Sequence, residues 1–197
     1  NDVEKIVFVS KWVQNRYFTG LDQKLLNKTE VIYPSIHKEK SVVKKDKKIV
    51  FVGKLNPSKG YDIYRDSIVR ILNEFKDWKA FSIGDERRNK PIIDHQNHYE
   101  LGYLTHKEVL KFLNKSEIAV VPSRWEEPFG RTALESSSRG CATIISNRGG
   151  LPETTDNCII LKKLNSNELY KQIKKLILNK KYRKKLQNDG FNNIKHL

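Results

Sequence analysis

Short runs of consecutive apolar residues alternate along most of the chain with stretches in which apolar residues recur every three or four positions. The short runs predict β-strands, and the recurring stretches predict amphipathic helices. After residue 48 the predicted strands are 49–52, 79–83, 99–103, 118–121, 142–146 and 158–161. The predicted helices are 61–75, 105–114, 129–139, 166–178 and 182–194. Thr105 and Glu108 form a capping box at the second helix, and Gly140 ends the third.

The predicted strands are apolar throughout, which is typical of parallel strands that are buried on both faces. Strands that alternate with helices in this way predict an α/β fold, a Rossmann-like doubly wound parallel sheet. Before this region a strand is predicted at 6–9, a helix at 11–18, and a strand at 31–33 that Pro34 ends. The polar, lysine-rich segment 35–47 is interpreted as a linker or exposed loop.

The chain has 197 residues, no methionine and a formal net charge of +15. Its length suits one full α/β domain plus a fragment. No stretch approaches the roughly 18 apolar residues of a membrane-spanning helix, and from the first residues given we expect no signal peptide. Because the chain has no initiator and starts just before a predicted strand, we expect it to be part of a longer protein.

Lysine is concentrated in two segments, 38–48 and 162–185. The second segment also has apolar residues at helical spacing, so its lysines are interpreted as the solvated faces of two helices. These apolar residues are Leu169, Ile173, Leu176 and Ile177. Attraction to an anionic lipid surface and binding of nucleic acid stay open as alternative explanations of the positive charge.

Cys141 and Cys158 each lie at the start of a β-like apolar run, where cysteine behaves as a small buried hydrophobe, and no CxxC spacing is present. Reduced thiols fit a cytosolic location. His95 and His98 have a spacing that a metal ion could use, but two exposed histidines in a loop are the preferred interpretation.

Candidate binding residues follow the carboxyl ends of two predicted strands, at the edge where open parallel sheets bind ligands. After the strand 49–52, a glycine-flanked turn carries Lys54 and Lys59. The turn lacks the ending of a Walker A loop, but two cations five positions apart suit a diphosphate. The alternative interpretation is an ordinary Gly/Pro turn with exposed lysines.

A second candidate site follows the strand 118–121. Glu127 precedes the predicted helix, and Glu135 lies two turns along it, roughly 12 Å further. The helix N-terminus offers free amides to an anion, and Gly130 lets a ligand approach the backbone. A nucleotide-sugar along this helix would place sugar hydroxyls at Glu127 and ribose at Glu135, because carboxylates accept hydrogen bonds from hydroxyls. Alternatively, Glu135 only favours the helix through its dipole.

The segment from Glu127 to Glu135, two glutamates with seven residues between them, resembles the signature of glycosyltransferase family 4. This family comprises retaining enzymes with the two-domain GT-B fold. Further segments resemble the family in the same order: 6–10 the last strand of the acceptor domain, 31–34 the hinge, 51–60 the phosphate-binding strand and loop, 83–85 the next strand end, 101–104 the nucleobase pocket, and 149–153 a loop near the donor. The resemblance covers nearly the whole chain.

The resemblance implies roles for individual residues. Lys54 and Lys59 would hold the diphosphate, and Glu135 would hold the ribose. Glu127 and the backbone at Phe129 and Gly130 would hold the donor sugar, with Glu127 as the candidate catalytic residue. The remaining implied donor-binding residues are Gly53, Tyr103 and Arg131.

Two positions depart from the family pattern. The cation at Lys54 is more often arginine, so the bidentate fork is lost. The hinge reads Pro34-Ser35-Ile36-His37 instead of the commoner Pro-Asn-Gly form.

The resemblance also implies a domain division, with 1–36 a remnant of the acceptor domain and hinge, and 37–197 the donor-binding domain. The whole enzyme would transfer a sugar, with retention, from a nucleotide-diphosphate donor to a saccharide or lipid-linked acceptor. We expect no cofactor and no metal, a role in cell-envelope polysaccharide or glycolipid biosynthesis, and a cytoplasmic location with a peripheral contact to the anionic membrane face. We expect the isolated piece to be inactive.

Two alternatives stay open. A basic Rossmann-like module could bind nucleic acid or an anionic surface, since a fold does not determine a function; nucleic acid is the less expected partner. A nucleotide-sugar epimerase of the same architecture is the second alternative.

Overall fold

The computed structural model describes residues 4–20, 23–37, 43–88 and 90–194. The central sheet consists of β3 (Asp46–Val52), β4 (Lys79–Ile83), β5 (His98–Glu100), β6 (Ser116–Val121), β7 (Ala142–Ile145) and β8 (Cys158–Ile160). All its strands are parallel, in the order β5-β4-β3-β6-β7-β8. Two short parallel strands, β1 (Ile6–Phe8) and β2 (Thr29–Val31), pair separately.

Helices cover both faces of the central sheet. They are α2 (Tyr61–Glu74), α3 (His106–Lys115), α4 (Arg131–Ser138), α5 (Ser166–Leu178) and α6 (Lys180–Asn192), whereas α1 (Lys11–Tyr17) follows β1 in the amino-terminal segment. Ile49 and Ile118 pack with buried residues of α2 and α5, whereas Val50 and Ala119 pack with α3. Because neighbouring residues of a strand point to opposite faces, these two cores lie on opposite sides of the sheet. The prediction of a doubly wound parallel sheet is confirmed.

The turns after β3 and β4 meet at the carboxyl edge of the sheet. The backbone N–H of Gly53 donates to Ile83 O at 2.9 Å, and Gly84 has a φ of 136°. A Cβ atom at Gly84 would lie 1.9 Å from the carbonyl oxygen of Gly53, so a larger residue would force the backbone apart. This close approach holds the loop after β3 against the loop after β4, where ligands bind in this class of fold.

Two predicted boundaries are wrong because a glycine turns the chain. The helix predicted at 129–139 begins only at α4, since Gly130 has a φ of 98°, outside the helical range. The strand predicted at 99–103 ends before Gly102, which has a φ of 66°. In each case the apolar residues next to the glycine fit the pattern of the predicted helix or strand. The positive φ at the glycine ends the regular backbone conformation, so the helix or strand does not continue through it.

Lys45 is buried, contrary to the interpretation of 35–47 as a linker or exposed loop. It is 8% exposed, and its Nζ donates to the carbonyl oxygens of Leu113, Asn114 and Arg139 at 3.4, 3.0 and 2.7 Å. These acceptors lie at the carboxyl ends of α3 and α4, where carbonyls lack partners within the helix. Burial lowers the pKa of Lys45. The lysine therefore caps two helices instead of facing solvent.

From Lys171 to Lys185 the lysines of the segment 162–185 belong to amphipathic helices, as predicted, whereas Lys162 and Lys163 precede α5. The apolar residues of α5 that face the core are Leu169, Ile173 and Leu176, with Ile177 partly buried. In the other lysine-rich segment, residues 38–42 lie outside the described residues. Among the helices that the structure describes, none combines the length and the apolar character needed to cross a bilayer.

The amino-terminal segment contacts the loop after β7. The carboxylate of Glu153 accepts hydrogen bonds from the backbone N–H groups of Lys11 and Trp12, at 2.9 and 2.8 Å, and so caps the first turn of α1. The hydroxyl of Tyr33 donates to the same carboxylate at 2.8 Å. These bonds hold the segment before the central sheet in a defined place, while the division of the chain after residue 36 stays a prediction.

Candidate functional site

A cavity of about 350 Å³ opens at the carboxyl edge of the sheet, between the ends of β3 and β6 and the start of α4. We call it the Glu127 cavity. Its lining includes Gly53, Lys59, Ser123, Glu127, Gly130 and Arg131. The structure therefore brings together the two strand ends that the sequence indicates as separate candidate sites, and it adds Ser123.

Lys59 and Glu127 form an ion pair inside this cavity. The Nζ of Lys59 lies 2.6 Å from Oε1 of Glu127, and the Oγ of Ser123 donates to the same oxygen at 3.0 Å. The two charged side chains are only 29% and 15% exposed, so solvent screens the pair less than it screens a surface pair. Since 68 positions separate the partners, no local motif reveals their contact.

Lys54 and Lys59 lie on different cavities. Lys54 is exposed and lines, with Tyr103, an adjacent space of about 380 Å³. Gly53 lines both spaces, so a single extended ligand that passes Gly53 could reach both lysines. Tyr103 is 81% exposed and offers its ring to that second space. A joint role of the two lysines on one diphosphate stays a prediction.

The first residues of α4 line the Glu127 cavity. Gly130 precedes the helix, and no side chain of the described residues caps it there. A Cβ atom at Gly130 would lie 2.4 Å from Cδ2 of Leu151, so both packing and the positive φ require glycine. Because Arg131 and Thr132 also line the cavity, the first backbone amides of α4 and the positive end of its dipole lie beside it.

Glu135 lies one turn into α4, and its carboxylate contacts α3. Its Oε1 is 3.1 Å from Nε2 of His106 and 3.6 Å from the guanidinium of Arg131. The side chain is 9% exposed and is not among the residues that line the Glu127 cavity. The prediction that Glu135 lies two turns along the helix is wrong, because α4 begins only at Arg131. His106 carries no signal in the sequence, since no pattern pairs the starts of α3 and α4.

The loop after β7 holds the backbone next to Glu127. The N–H of Gly150 donates to Glu127 O at 2.6 Å. Phe129 is 3% exposed, and its ring packs against that of Tyr33 with centroids 5.8 Å apart. Phe129 therefore contributes a buried anchor below the cavity, while the loop at 149–153 fixes the position of the backbone that carries Glu127.

The two histidines with metal-like spacing are half-buried, contrary to the interpretation of an exposed loop. His98 lies in β5, and its Nε2 is 2.8 Å from Oγ of Ser82, because the strand turns this side chain towards the sheet. Burial lowers the pKa of His98. The Nδ1 of His95 accepts a hydrogen bond from Asn97 N at 3.0 Å. Within the described ranges, no group of three or more potential ligands is placed to hold a metal ion.

Cys141 is completely buried, as predicted for a cysteine that begins a strand. Burial raises the pKa of its thiol to about 11, so the group stays protonated at neutral pH. Cys158 is partly buried, and its Sγ lies 3.4 Å from Thr155 O.

The chain matches known proteins over most of its length. The family described as "Glycosyl transferases group 1" matches residues 33–193. An uncharacterized glycosyltransferase of Methanocaldococcus jannaschii (MJ1178) is 36% identical over 197 residues, which cover 95% of this chain and 53% of that protein. The chain thus spans about half the length of this relative.

Solved glycosyltransferase structures share the fold. HepE of Anabaena in complex with UDP-glucose has a TM-score of 0.79 at 16% identity, over 96% of this chain and 58% of that chain. The C-terminal domain of a group 1 glycosyl transferase (LpcC) from Francisella tularensis has a TM-score of 0.64 at 21% identity, over 76% of this chain and 85% of that chain. These likenesses and the family match confirm the resemblance indicated by the sequence: the chain has the Rossmann-like fold of a GT-B half and belongs to the group 1 glycosyl transferases.

Proposed function

We propose that this chain is the donor-binding half of a retaining glycosyltransferase, which transfers a sugar from a nucleotide-diphosphate donor to a saccharide or lipid-linked acceptor. The observation that carries the proposal is the Lys59–Glu127 pair beside the uncapped start of α4. A cation and free helix amides suit a diphosphate, and a carboxylate next to them suits sugar hydroxyls.

The diphosphate would lie between Lys59 and the first amides of α4. In the transfer, the bond from the anomeric carbon to a phosphate oxygen breaks, and a bond to the acceptor oxygen forms on the same face of the sugar. The acceptor's proton passes to the departing nucleoside diphosphate. Negative charge grows on this leaving group, so fixed donors and cations at the diphosphate stabilise the transition state more than the ground state.

The ion pair sets up a competition for Lys59. A diphosphate that binds Lys59 must weaken the contact of 2.6 Å to Glu127. Glu127 then keeps its hydrogen bond from Ser123 and gains acceptor capacity for hydroxyls of the donor sugar. In this scheme Glu127 orients the sugar, and the pair couples binding of the diphosphate to preparation of the sugar site.

The nucleoside would occupy the space that Lys54 and Tyr103 line, with the base against the exposed ring. Glu135 would accept from the ribose, with His106 as its second partner. The crystal structure of HepE with UDP-glucose supports a nucleotide-sugar as the donor class. We also propose a cytoplasmic role in cell-envelope polysaccharide or glycolipid synthesis, in which the basic surface contacts anionic lipid, and no cofactor or metal takes part in the transfer.

The test is calorimetric titration of the chain with UDP, GDP and ADP, and with the matching nucleosides. Lys59→Ala should weaken binding of the preferred diphosphate by about 1.5 to 3 kcal/mol, the range for charge-assisted hydrogen bonds. It should leave nucleoside binding unchanged. Lys171→Ala, an exposed lysine on α5, is the control and should alter neither. Absence of diphosphate binding by the parent chain, or equal losses for nucleoside and diphosphate, would contradict the proposal.

A further inference from the structure

Two tryptophans line a third cavity, of about 510 Å³, next to the Glu127 cavity. Its lining includes Trp12, Arg124, Trp125, Glu126, Pro128 and Arg148, and we call it the tryptophan cavity. Its volume falls within the range of about 300 to 1,000 Å³ that is typical of small-molecule sites. Pro128 lines both this cavity and the Glu127 cavity, so a ligand in one is the direct neighbour of a ligand in the other.

Trp125 presents an exposed ring on a fixed backbone. The residue is 59% exposed, yet its N–H donates to Ser58 O at 2.9 Å and its carbonyl oxygen lies 3.1 Å from the Oγ of Ser123. An exposed large aromatic has no stabilising role in the core, and its fixed backbone lowers the entropy that is lost when a ligand binds. The loop thus holds the ring ready for contact instead of burying it.

The backbone of Trp12 is also held in place, by a contact of its own. It lies in the first turn of α1, where its N–H donates to Glu153 at 2.8 Å, and it is half-buried. The third tryptophan, Trp78, is 3% exposed and packs in the core on one face of the sheet. The chain therefore has two tryptophans in the cavity and one that solvent and ligands do not reach.

The charged side chains of the tryptophan cavity balance one another. The guanidinium of Arg124 is held by both carboxylate oxygens of Asp62, at 2.5 and 2.7 Å, so its charge is already neutralised. Within the part of the chain that the structure describes, the side chains of Glu126 and Arg148 have no hydrogen-bond or ion-pair partner. One carboxylate and one guanidinium supply hydrogen-bond acceptors and donors without a net charge.

This combination specifies the chemistry of the ligand. The negative face of an indole ring attracts the polarised C–H groups of a sugar ring. A free carboxylate accepts from hydroxyls, and a free guanidinium donates to hydroxyl oxygens. The absence of net charge at the cavity favours an uncharged polyhydroxylated ligand over a phosphate or a carboxylate.

We infer that the tryptophan cavity binds a neutral saccharide, stacked on Trp125 and Trp12 and hydrogen-bonded to Glu126 and Arg148. Its position beside Pro128 makes it the subsite for the acceptor, an assignment that rests on the proposed function. Saccharide binding itself does not depend on that function. It follows that the donor domain contributes directly to the choice of acceptor and selects a sugar instead of a bare lipid phosphate.

The test is titration of the chain with neutral sugars, namely glucose, galactose, mannose, N-acetylglucosamine and their β- and α-linked oligosaccharides, up to tens of millimolar. Tryptophan fluorescence reports on Trp12 and Trp125, while buried Trp78 supplies a constant background. We expect at least one neutral sugar to change the emission and to protect it from quenching by iodide. Galacturonate oligosaccharides and inorganic phosphate should have no such effect.

Variants locate the site. Trp125→Ala and Arg148→Ala should each raise the dissociation constant of the responding sugar about tenfold, measured by calorimetry, at an unchanged melting temperature. Arg65→Ala changes a partly exposed arginine on α2, is the matched control and should bind the sugar like the parent. A parent chain that responds to none of the neutral sugars, or that binds galacturonate or phosphate better, overturns the inference, as does sugar binding that both cavity variants retain.

The outcome is separable from that of the proposed function. Titration of Trp125→Ala with UDP, GDP and ADP should give the affinities of the parent. A parent chain that binds a nucleoside diphosphate but no neutral sugar refutes the saccharide site alone. A chain that binds the sugar but no nucleoside diphosphate refutes the donor-site proposal alone.

Discussion

Replacing Glu127 with glutamine should make the chain bind a nucleoside diphosphate more tightly. Glutamine has the size of glutamate and can still accept the hydrogen bond from Ser123, but it removes the charge that pairs with Lys59. The diphosphate then no longer competes with a carboxylate for that lysine. A variant at a proposed substrate-binding residue would thereby gain affinity for part of the substrate.

The magnitude follows from the exposure of the pair. Fully exposed ion pairs contribute about 0.2 to 1 kcal/mol, and side chains that are 29% and 15% exposed place Lys59–Glu127 at the upper end of that range. A gain of about 1 kcal/mol lowers the dissociation constant about fivefold. The matching nucleotide-sugar should show no such gain. A neutral amide binds sugar hydroxyls more weakly than a carboxylate does, and this loss opposes the gain at Lys59.

The assay is calorimetric titration of Glu127→Gln and the parent with the preferred diphosphate and with its sugar conjugate. Glu74→Gln is the matched control, because Glu74 forms an ion pair of the same 2.6 Å length with Lys174 on the exposed side of α2 and α5. It should change neither affinity. Diphosphate binding by Glu127→Gln that is equal to or weaker than that of the parent would refute the competition between Glu127 and the ligand.

Three further predictions concern other buried groups. Glu135→Ala should weaken the diphosphate and its sugar conjugate alike, by about 1.5 to 3 kcal/mol in calorimetry, if Glu135 binds the ribose. Lys45→Met should lower the free energy of unfolding in urea by about 2 to 4 kcal/mol, because the buried carbonyls lose their donor. Folding raises the pKa of the Cys141 thiol from 9.0 to about 11. The contribution of this thiol to the free energy of unfolding is therefore complete below pH 9 and is lost as the pH rises through 11. Cys141→Ala should abolish this fall in the free energy of unfolding, which amounts to about 3 kcal/mol. Urea unfolding at both ends of this pH window measures it.

The sheet was predictable because its strands carry a signal that does not depend on the rest of the fold. The run 118–121 in β6 is apolar at every position, and burial on both faces of the sheet calls for such a run. The start of α4 was not predictable in the same way. Phe129 fits the apolar pattern of the helix, but the φ of 98° at Gly130 excludes it, and sequence periodicity carries no information on a single backbone angle.

The composition of the candidate site was predictable, and its pairing was not. The sequence indicates Lys59 and Glu127 as ligand-binding residues because each follows the carboxyl end of a strand. Their mutual contact depends on β3 and β6 being neighbours in the sheet. The contact of His106 with Glu135 likewise depends on how α3 packs beside α4. Such contacts follow from topology, which a linear motif does not encode.

The charge pattern of the sequence was the least informative about the roles of individual residues. The lysines on either side of β3 are an example. Lys45 comes directly before this strand of seven residues, and Lys59 lies in the turn after it. The two lysines therefore lie at opposite edges of the sheet. At the amino edge, where helices end, Lys45 donates to unpaired carbonyls. At the carboxyl edge, where helices begin, unpaired amides attract an anion, and Lys59 forms its ion pair with Glu127 beside the start of α4. The orientation of the helices in a parallel α/β sheet therefore explains the structural role of Lys45 and favours the diphosphate-binding role that we propose for Lys59, although the sequence alone gives both the same charge.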